Sequence, residues 1–266
     1  MRHHVALASL LVASLSPLVP ADRVSDDAND GRRDSSKWSE RESSDARRTQ
    51  ARESGGRIRI ESRRGRGGGA AFVSTVFADW TDPFYLEFEH RFSTSRVRGT
   101  AQSASGGLAM GFGTFDAASG YRDGVNVQVV HTSAGRSLEV EVRVAGVAVF
   151  TDSAALDAGA HEFHIAFTGG ADAAMLVYLD GETTPTLAVD GIATYFAGFE
   201  SQGMAIALFG GCTAKVKLDS SFDDFLFSGD RHDDSDDAGY DDSDGSSDDD
   251  EDDGYDDHGD HGGGHS

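Results

Sequence analysis

This sequence predicts an all-β protein, a two-sheet antiparallel sandwich, and three observations predict it. Between about 71 and 228, apolar and polar residues alternate in short runs, the period-two signature of strands with one buried face. Gly, Asp, Ser and Thr, which favour chain reversals, separate those runs. No segment there sustains a helical period. The central case runs from Gly159 to Gly181. His161, Phe163, Ile165 and Phe167 take one side of a strand, with Glu162, His164 and Ala166 on the other. A glycine pair turns the chain, and the apolar run from Met175 to Leu179 suits a strand covered on both faces. It stops at Asp180-Gly181, where glycine supplies the positive φ of a tight reversal.

From the start of the chain, Met1 to Ala21 (1–21) has the form of a secretory signal peptide. Arg2 precedes an apolar run from Val5 to Leu18, and Ala21 offers a small residue for cleavage. The run is too short to span a bilayer, and no later stretch is long and apolar enough. The sequence therefore predicts a secreted protein, extracellular or at the cell surface, with no transmembrane segment. Residues 22–56 read as a disordered mixed-charge arm. Residues 22–68 hold thirteen Lys/Arg against ten Asp/Glu, with almost nothing apolar before Ile58, too little to offset the entropy of ordering. Arg63 to Gly69 resembles an arginine-glycine nucleic-acid tract, but in an exported chain it reads as a basic tether, so no nucleic-acid partner is expected. Arg57 to Glu61 alternates and predicts an edge strand whose charges discourage pairing with other chains.

The sandwich domain is placed at 57–229. Its strands are expected at 72–77, 84–92, 108–112, 125–131, 138–144, 147–151, 161–168, 175–180, 186–189, 204–209, 215–219 and 222–227. Phe84, Leu86, Phe88, His90 and Phe92 share one face against Tyr85, Glu87, Glu89 and Arg91; Leu138, Val140 and Val142 likewise oppose Glu139, Glu141 and Arg143. Many short strands at this spacing indicate a sandwich or barrel. His90 reads as a hydrogen-bonded core histidine. Cys212 is the only cysteine, so no intrachain disulfide exists, and the apolar run before it predicts a buried, unreactive thiol. Residues 230–266 are an Asp/Gly/His-rich acidic tail. From 229 onward, seventeen acids against one arginine contribute −16 of the chain's −23, and such a run is predicted to be extended and disordered.

The segments HEFHIAFTGG, MLVYLDGETTPTLAVD, GMAIALFGG and FDDFLFS resemble the second half of a concanavalin A-like lectin/glucanase jelly roll. L-type lectins and laminin-G-like modules share that pattern. Phe84 to Phe92 and Gly106 to Met110 are similar to the family's opening strands, so the likeness covers about 71–228. It implies a jelly-roll sandwich and a carbohydrate-binding, lectin-like role. The site motifs carry over poorly. Gly106 stands where L-type lectins place a sugar-binding aspartate. Met110-Gly111-Phe112-Gly113-Thr114-Phe115 has glycine where their metal-binding strand has two carboxylates, and Val125 to Val129 lacks them too. The hydrolase branch carries Glu-x-Asp-x-x-Glu on one strand, which neither Glu87/Glu89 nor Glu139/Glu141 completes. No other catalytic motif stands in its place. The expectation is of a protein that is not an enzyme.

Asp116, Ser119, Tyr121, Asp123 and Asn126 form a loop cluster of the kind that sugar hydroxyls and ring faces need, and they are also ordinary turn formers. Tyr195, with Phe196 and Phe199, offers a second platform or else a core plug. In the tail, Asp249, Glu251, Asp253 and Asp260, with His258, His261 and His265, predict weak, nonspecific association of divalent cations such as Ca2+. The sequence thus points to a noncatalytic glycan-binding protein. The alternative is a structural or matrix protein whose acidic tail gathers calcium on a sandwich scaffold.

Overall fold

A computed structural model describes residues 23–26, 34–42, 49–62 and 66–229. The strands come in chain order as β1 (Arg23–Asp26), β2 (Trp38–Glu42), β3 (Thr49–Glu53), β4 (Ile58–Ser62), β5 (Arg66–Ala78), β6 (Phe84–Ser95), β7 (Ala104–Asp116) and β8 (Gly120–Thr132). They continue as β9 (Gly135–Val144), β10 (Val147–Ala155), β11 (Ala160–Phe167), β12 (Met175–Leu179), β13 (Leu187–Val189), β14 (Met204–Ala214) and β15 (Lys217–Ser228), with one 3-10 turn at Ile192–Thr194. The first sheet runs β13-β12-β11-β6-β15-β4-β3, with β1 also on β15; the second runs β10-β9-β8-β7-β14-β5-β2. The pairings are antiparallel. The predicted all-β sandwich is the fold.

Alternation explains the layers. On β6, Phe84, Leu86, Phe88 and Phe92 are buried, and β11 presents Phe163, Ile165 and Phe167 beside them. Phe88 lies directly opposite Phe163 and Phe84 opposite Phe167, and both pairs stack with ring centroids 5.0 and 4.8 Å apart. Such opposed aromatic pairs each add roughly 0.2–1 kcal/mol to a sheet. The second sheet answers with Leu108, Met110, Val125, Val127, Val129, Leu138, Val140 and Val142, all essentially fully buried. His90 faces inward among these rings: its Nε2 pairs with the Ser220 hydroxyl at 2.8 Å and its ring lies flat on Phe222 at 4.5 Å. Burial, more than the nearby His161 and Arg136 charges, pulls its pKa down to about 3, so it is a neutral core histidine, as predicted.

The expectation of a disordered arm is corrected for its described residues, which hold the three strands β1, β2 and β3. β3 buries Thr49 and Ala51, and β2 buries Trp38. Trp38 on β2 is 1% exposed, donates its indole N–H to Asp26 Oδ2 at 2.7 Å, and packs edge-on against Phe225. Residues 57–61 do not form an edge either: β4 lies between β15 and β3. The two strands expected at 215–219 and 222–227 are one, β15, bulged at Asp223–Leu226.

Candidate functional site

The second sheet turns two contrasting halves outward. Toward β5 and β14 the outward residues are apolar. Ala71, Ala109, Ala205, Ala207 and Phe209 form a second apolar cluster with Tyr121, with Val73 and Phe115 packed against it. The turn joining β7 to β8 folds back over this carpet. A Cβ at Gly69 would stand only 2.1 Å from the Ala117 carbonyl oxygen, so only glycine lets the turn lie so close. Toward β8, β9 and β10 the face is open and polar. Register sets Asn126 opposite Glu141 and Glu141 opposite Thr151, with Gln128 opposite Glu139 and Glu139 opposite Ser153. Neighbouring strands lie about 4.8 Å apart and same-face residues about 7 Å apart along a strand, so these groups form a grid. Glu139 accepts from the Ser137 hydroxyl at 2.9 Å, and Arg143 donates to Glu141 at 2.8 Å.

The predicted loop cluster sits at the boundary between the halves. Asp116 Oδ1 accepts from the Ala118 and Ser119 backbone N–H groups and from the Ser119 hydroxyl, which ties the turn. Asn126 Nδ2 donates to the Ser119 carbonyl at 3.0 Å, and Asp123 accepts from the Ala145 backbone N–H. Asp116, Ser119 and Asn126 are thus joined through the turn, and Tyr121 covers the apolar carpet beside them. Both Tyr121 and Asn126 are 2% exposed, and the Tyr121 hydroxyl and Asn126 Oδ1 have no hydrogen-bond partner. Burial pushes the Tyr121 hydroxyl well above the ordinary phenol value, so it stays protonated. Gly120, at φ +83°, leaves the room that Asn126 needs.

Tyr195 lies on the 3-10 turn, half-buried against the main core. Phe196 and Phe199 are a core plug, both packed on Phe112, with Trp80 donating to the Phe199 carbonyl at 3.0 Å. Cys212 is half-buried rather than buried; burial raises its pKa, and its sulfur donates to the Val216 carbonyl. The tail residues Asp249, Glu251, Asp253, His258, Asp260, His261 and His265 lie outside the described residues. Among the described residues no group of three or more His, Cys, Asp or Glu stands close enough to hold a metal ion. Also among them, no helix is long and apolar enough to cross a membrane. Glu139 and Glu141 alternate with core residues as any solvated strand face does, and only the register of the fold brings them beside Asn126 and Gln128.

The sequence matches no protein-family model, and no curated protein matches it either. Solved structures do share its fold. The Emp47p carbohydrate recognition domain superposes with a TM-score of 0.52 at 12% identity, covering 78% of this chain and 95% of that one. An endo-acting O-glycanase of the human gut microbiota gives 0.53 at 12% identity, over 77% and 97%. A β-1,3-glucanase from Mycobacterium marinum gives 0.51 at 12%, again over 77% and 97%. Because two of these three neighbours are glycoside hydrolases, the expectation that this protein is not an enzyme is corrected: the fold is one on which such enzymes are built, and an enzyme here is open. With its two antiparallel sheets and these neighbours, the chain has the concanavalin A-like jelly-roll fold.

Proposed function

We propose that this protein binds glycans outside the cell, on the open polar half of the second sheet's outer face. The observation that carries the reading is the grid of Gln128, Glu139, Glu141, Arg143, Thr151 and Ser153, all facing one way beside the β7–β8 turn. Carboxylate and amide oxygens accept from sugar hydroxyls, while the guanidinium and amide nitrogens donate to them. A sheet face at strand spacing suits a chain of sugar rings. That solved neighbours with this fold include a carbohydrate recognition domain and glycan hydrolases supports the same ligand class.

The test is a glycan array probed with the full chain, followed by titration of the best ligand against Gln128→Ala and Arg143→Ala. Binding is expected, with at least a fivefold loss in each variant, in line with about 1 kcal/mol for a lost hydrogen bond. An array with no binder ends the proposal. A second reading has its own observation. Glu139 and Glu141 stand on one strand face about 7 Å apart at their roots, within the carboxylate separation of roughly 6.5–9.5 Å that inverting glycosidases use. Reducing ends released from a bound polysaccharide, and abolished by Glu139→Gln or Glu141→Gln, would establish hydrolysis at the same face.

A further inference from the structure

The outer face of the first sheet holds a pocket with a different chemistry. It has a volume of about 270 Å³ and is lined by Ser54, Gly55, Arg57, Arg59, Arg91, Ser93, Asp219 and Ser221. Its floor follows from register. Arg59 on β4 and Arg91 on β6 both pair with Ser221 on β15, so two long guanidinium side chains flank one short, buried serine. With strands about 4.8 Å apart, the two arginines rise from points about 10 Å apart, leaving a trough between them. The β3–β4 turn closes one end, where the Ser54 N–H donates to the Arg57 carbonyl.

The arginines are not equivalent. Arg57 is held by Glu89 at 2.7 Å and Asp223 at 3.1 Å, and Arg59 by Asp219 at 2.6 Å and Glu61 at 3.4 Å. Arg91 is exposed and makes no ion pair among the described residues, whereas the neighbouring Arg57 and Arg59 are both matched. The Ser54 hydroxyl oxygen is buried and has no hydrogen-bond partner. An unmatched guanidinium and an unsatisfied hydroxyl therefore border the same small trough. A guanidinium recognises a planar or tetrahedral oxyanion by paired N–H donors. Asp219 adds the opposite character, since the carboxylate oxygen that Arg59 leaves free can accept from a hydroxyl, which a bare oxyanion lacks.

We infer that this pocket binds a carboxylated sugar, its carboxylate on Arg91 with help from Arg59 and its hydroxyls on Asp219, Ser54 and Ser221. This site lies on a different sheet from the grid of Glu139 and Glu141 and does not rest on that reading. The probes are D-glucuronate, inorganic sulfate and glucose, titrated into the full chain in about 0.15 M salt, where surface fields are screened. Backbone amide shifts of Ser54, Gly55 and Ser221 locate the binding. Glucuronate is expected to shift these amides saturably, with sulfate at least severalfold weaker and glucose inactive. Arg91→Ala should weaken glucuronate about tenfold or more without changing thermal stability, as expected for a lost charge-assisted bond. Gln128→Ala should leave it unchanged. No saturable shift with glucuronate, or an unaltered affinity in Arg91→Ala, overturns the inference. Sulfate binding as tightly as glucuronate, or glucose binding equally well, overturns the assignment to a carboxylated sugar.

Discussion

The two outer faces of this sandwich solve the same problem in opposite ways. On the first sheet, much of the outward surface of β3, β4, β6 and β15 is charged and paired across strands, with Arg91 left over: Arg52 pairs with Glu61, Arg59 with Asp219, and Arg57, from the β3–β4 turn, with Glu89 and Asp223. On the second sheet, the outward residues of β5, β7 and β14 are apolar, mostly alanine with Val73, Phe115 and Phe209, and the chain's own β7–β8 turn lies over them. The first face stays wet and is assembled from long, adaptable side chains. The other is dry, shaped by backbone, and intolerant of added atoms. A sheet face can thus be kept from pairing with other molecules by charge or by a self-made cover, and the two devices should fail differently.

At neutral pH the largest effect is expected where the cover meets the sheet. Gly69→Val should cost about 3 kcal/mol in urea unfolding, at the upper end of overpacking costs, because the added atoms meet backbone rather than a yielding side chain. A loss below about 1 kcal/mol would mean that the turn lifts freely and the cover is loose. Next comes the interior behind the charged face, at His90. Its folded pKa of about 3 lies below its unfolded value near 6.5, so the unfolded chain binds the extra proton first. The contribution of neutral His90 is complete above about pH 6.5 and is lost as pH falls toward 3, at up to about 1.4 kcal/mol per pH unit. His90→Phe should flatten that part of the stability–pH curve. An unchanged slope would place the titration elsewhere.

A smaller effect of opposite sign is expected from Tyr121→Phe. Removing a buried hydroxyl that has no partner should stabilise the fold by about 1 kcal/mol, read as a rise in melting temperature. Destabilisation instead would show that the hydroxyl is satisfied in solution. Smallest of all is Arg52→Ala. Its pair with Glu61 is exposed on the arginine side, and such pairs contribute about 0.2–1 kcal/mol. A loss above about 2 kcal/mol would mean that the charged face is a coupled network rather than a set of separate pairs.

The strands that were legible in the sequence are those whose inward residues are apolar at every second place, such as β6, β9 and β11. Those that were not legible have polar residues at inward places. On β15, Ser220 interrupts the apolar run and suggests a break, yet it is fully buried because His90 supplies its hydrogen bond from the neighbouring strand. β2 carries one large apolar residue, Trp38, among four polar ones, and its anchorage depends on Asp26 and Phe225 from elsewhere in the chain. Composition alone cannot show that partnership. The site divides in the same way. Asp116 and Ser119 read as a turn and form one, a local property. The turn's close approach to the sheet depends on Gly69, about fifty residues before it, and the arginine trough is gathered from β4, β6 and β15.

β15 supplies the last strand in the described chain, and it is bonded to β6 along one side and to β4 and β1 along the other. During synthesis, then, the opening strands wait for a seam that is made last. Until residue 228 has left the ribosome, β6 keeps a bare flank, β4 is paired only with β3, and β1 has no strand to settle against. Contacts this distant in sequence carry a large closure entropy and slow the final assembly. Any nascent form stopped before residue 217 is an open half-shell, with the unpaired backbone that a protecting chaperone would have to shield.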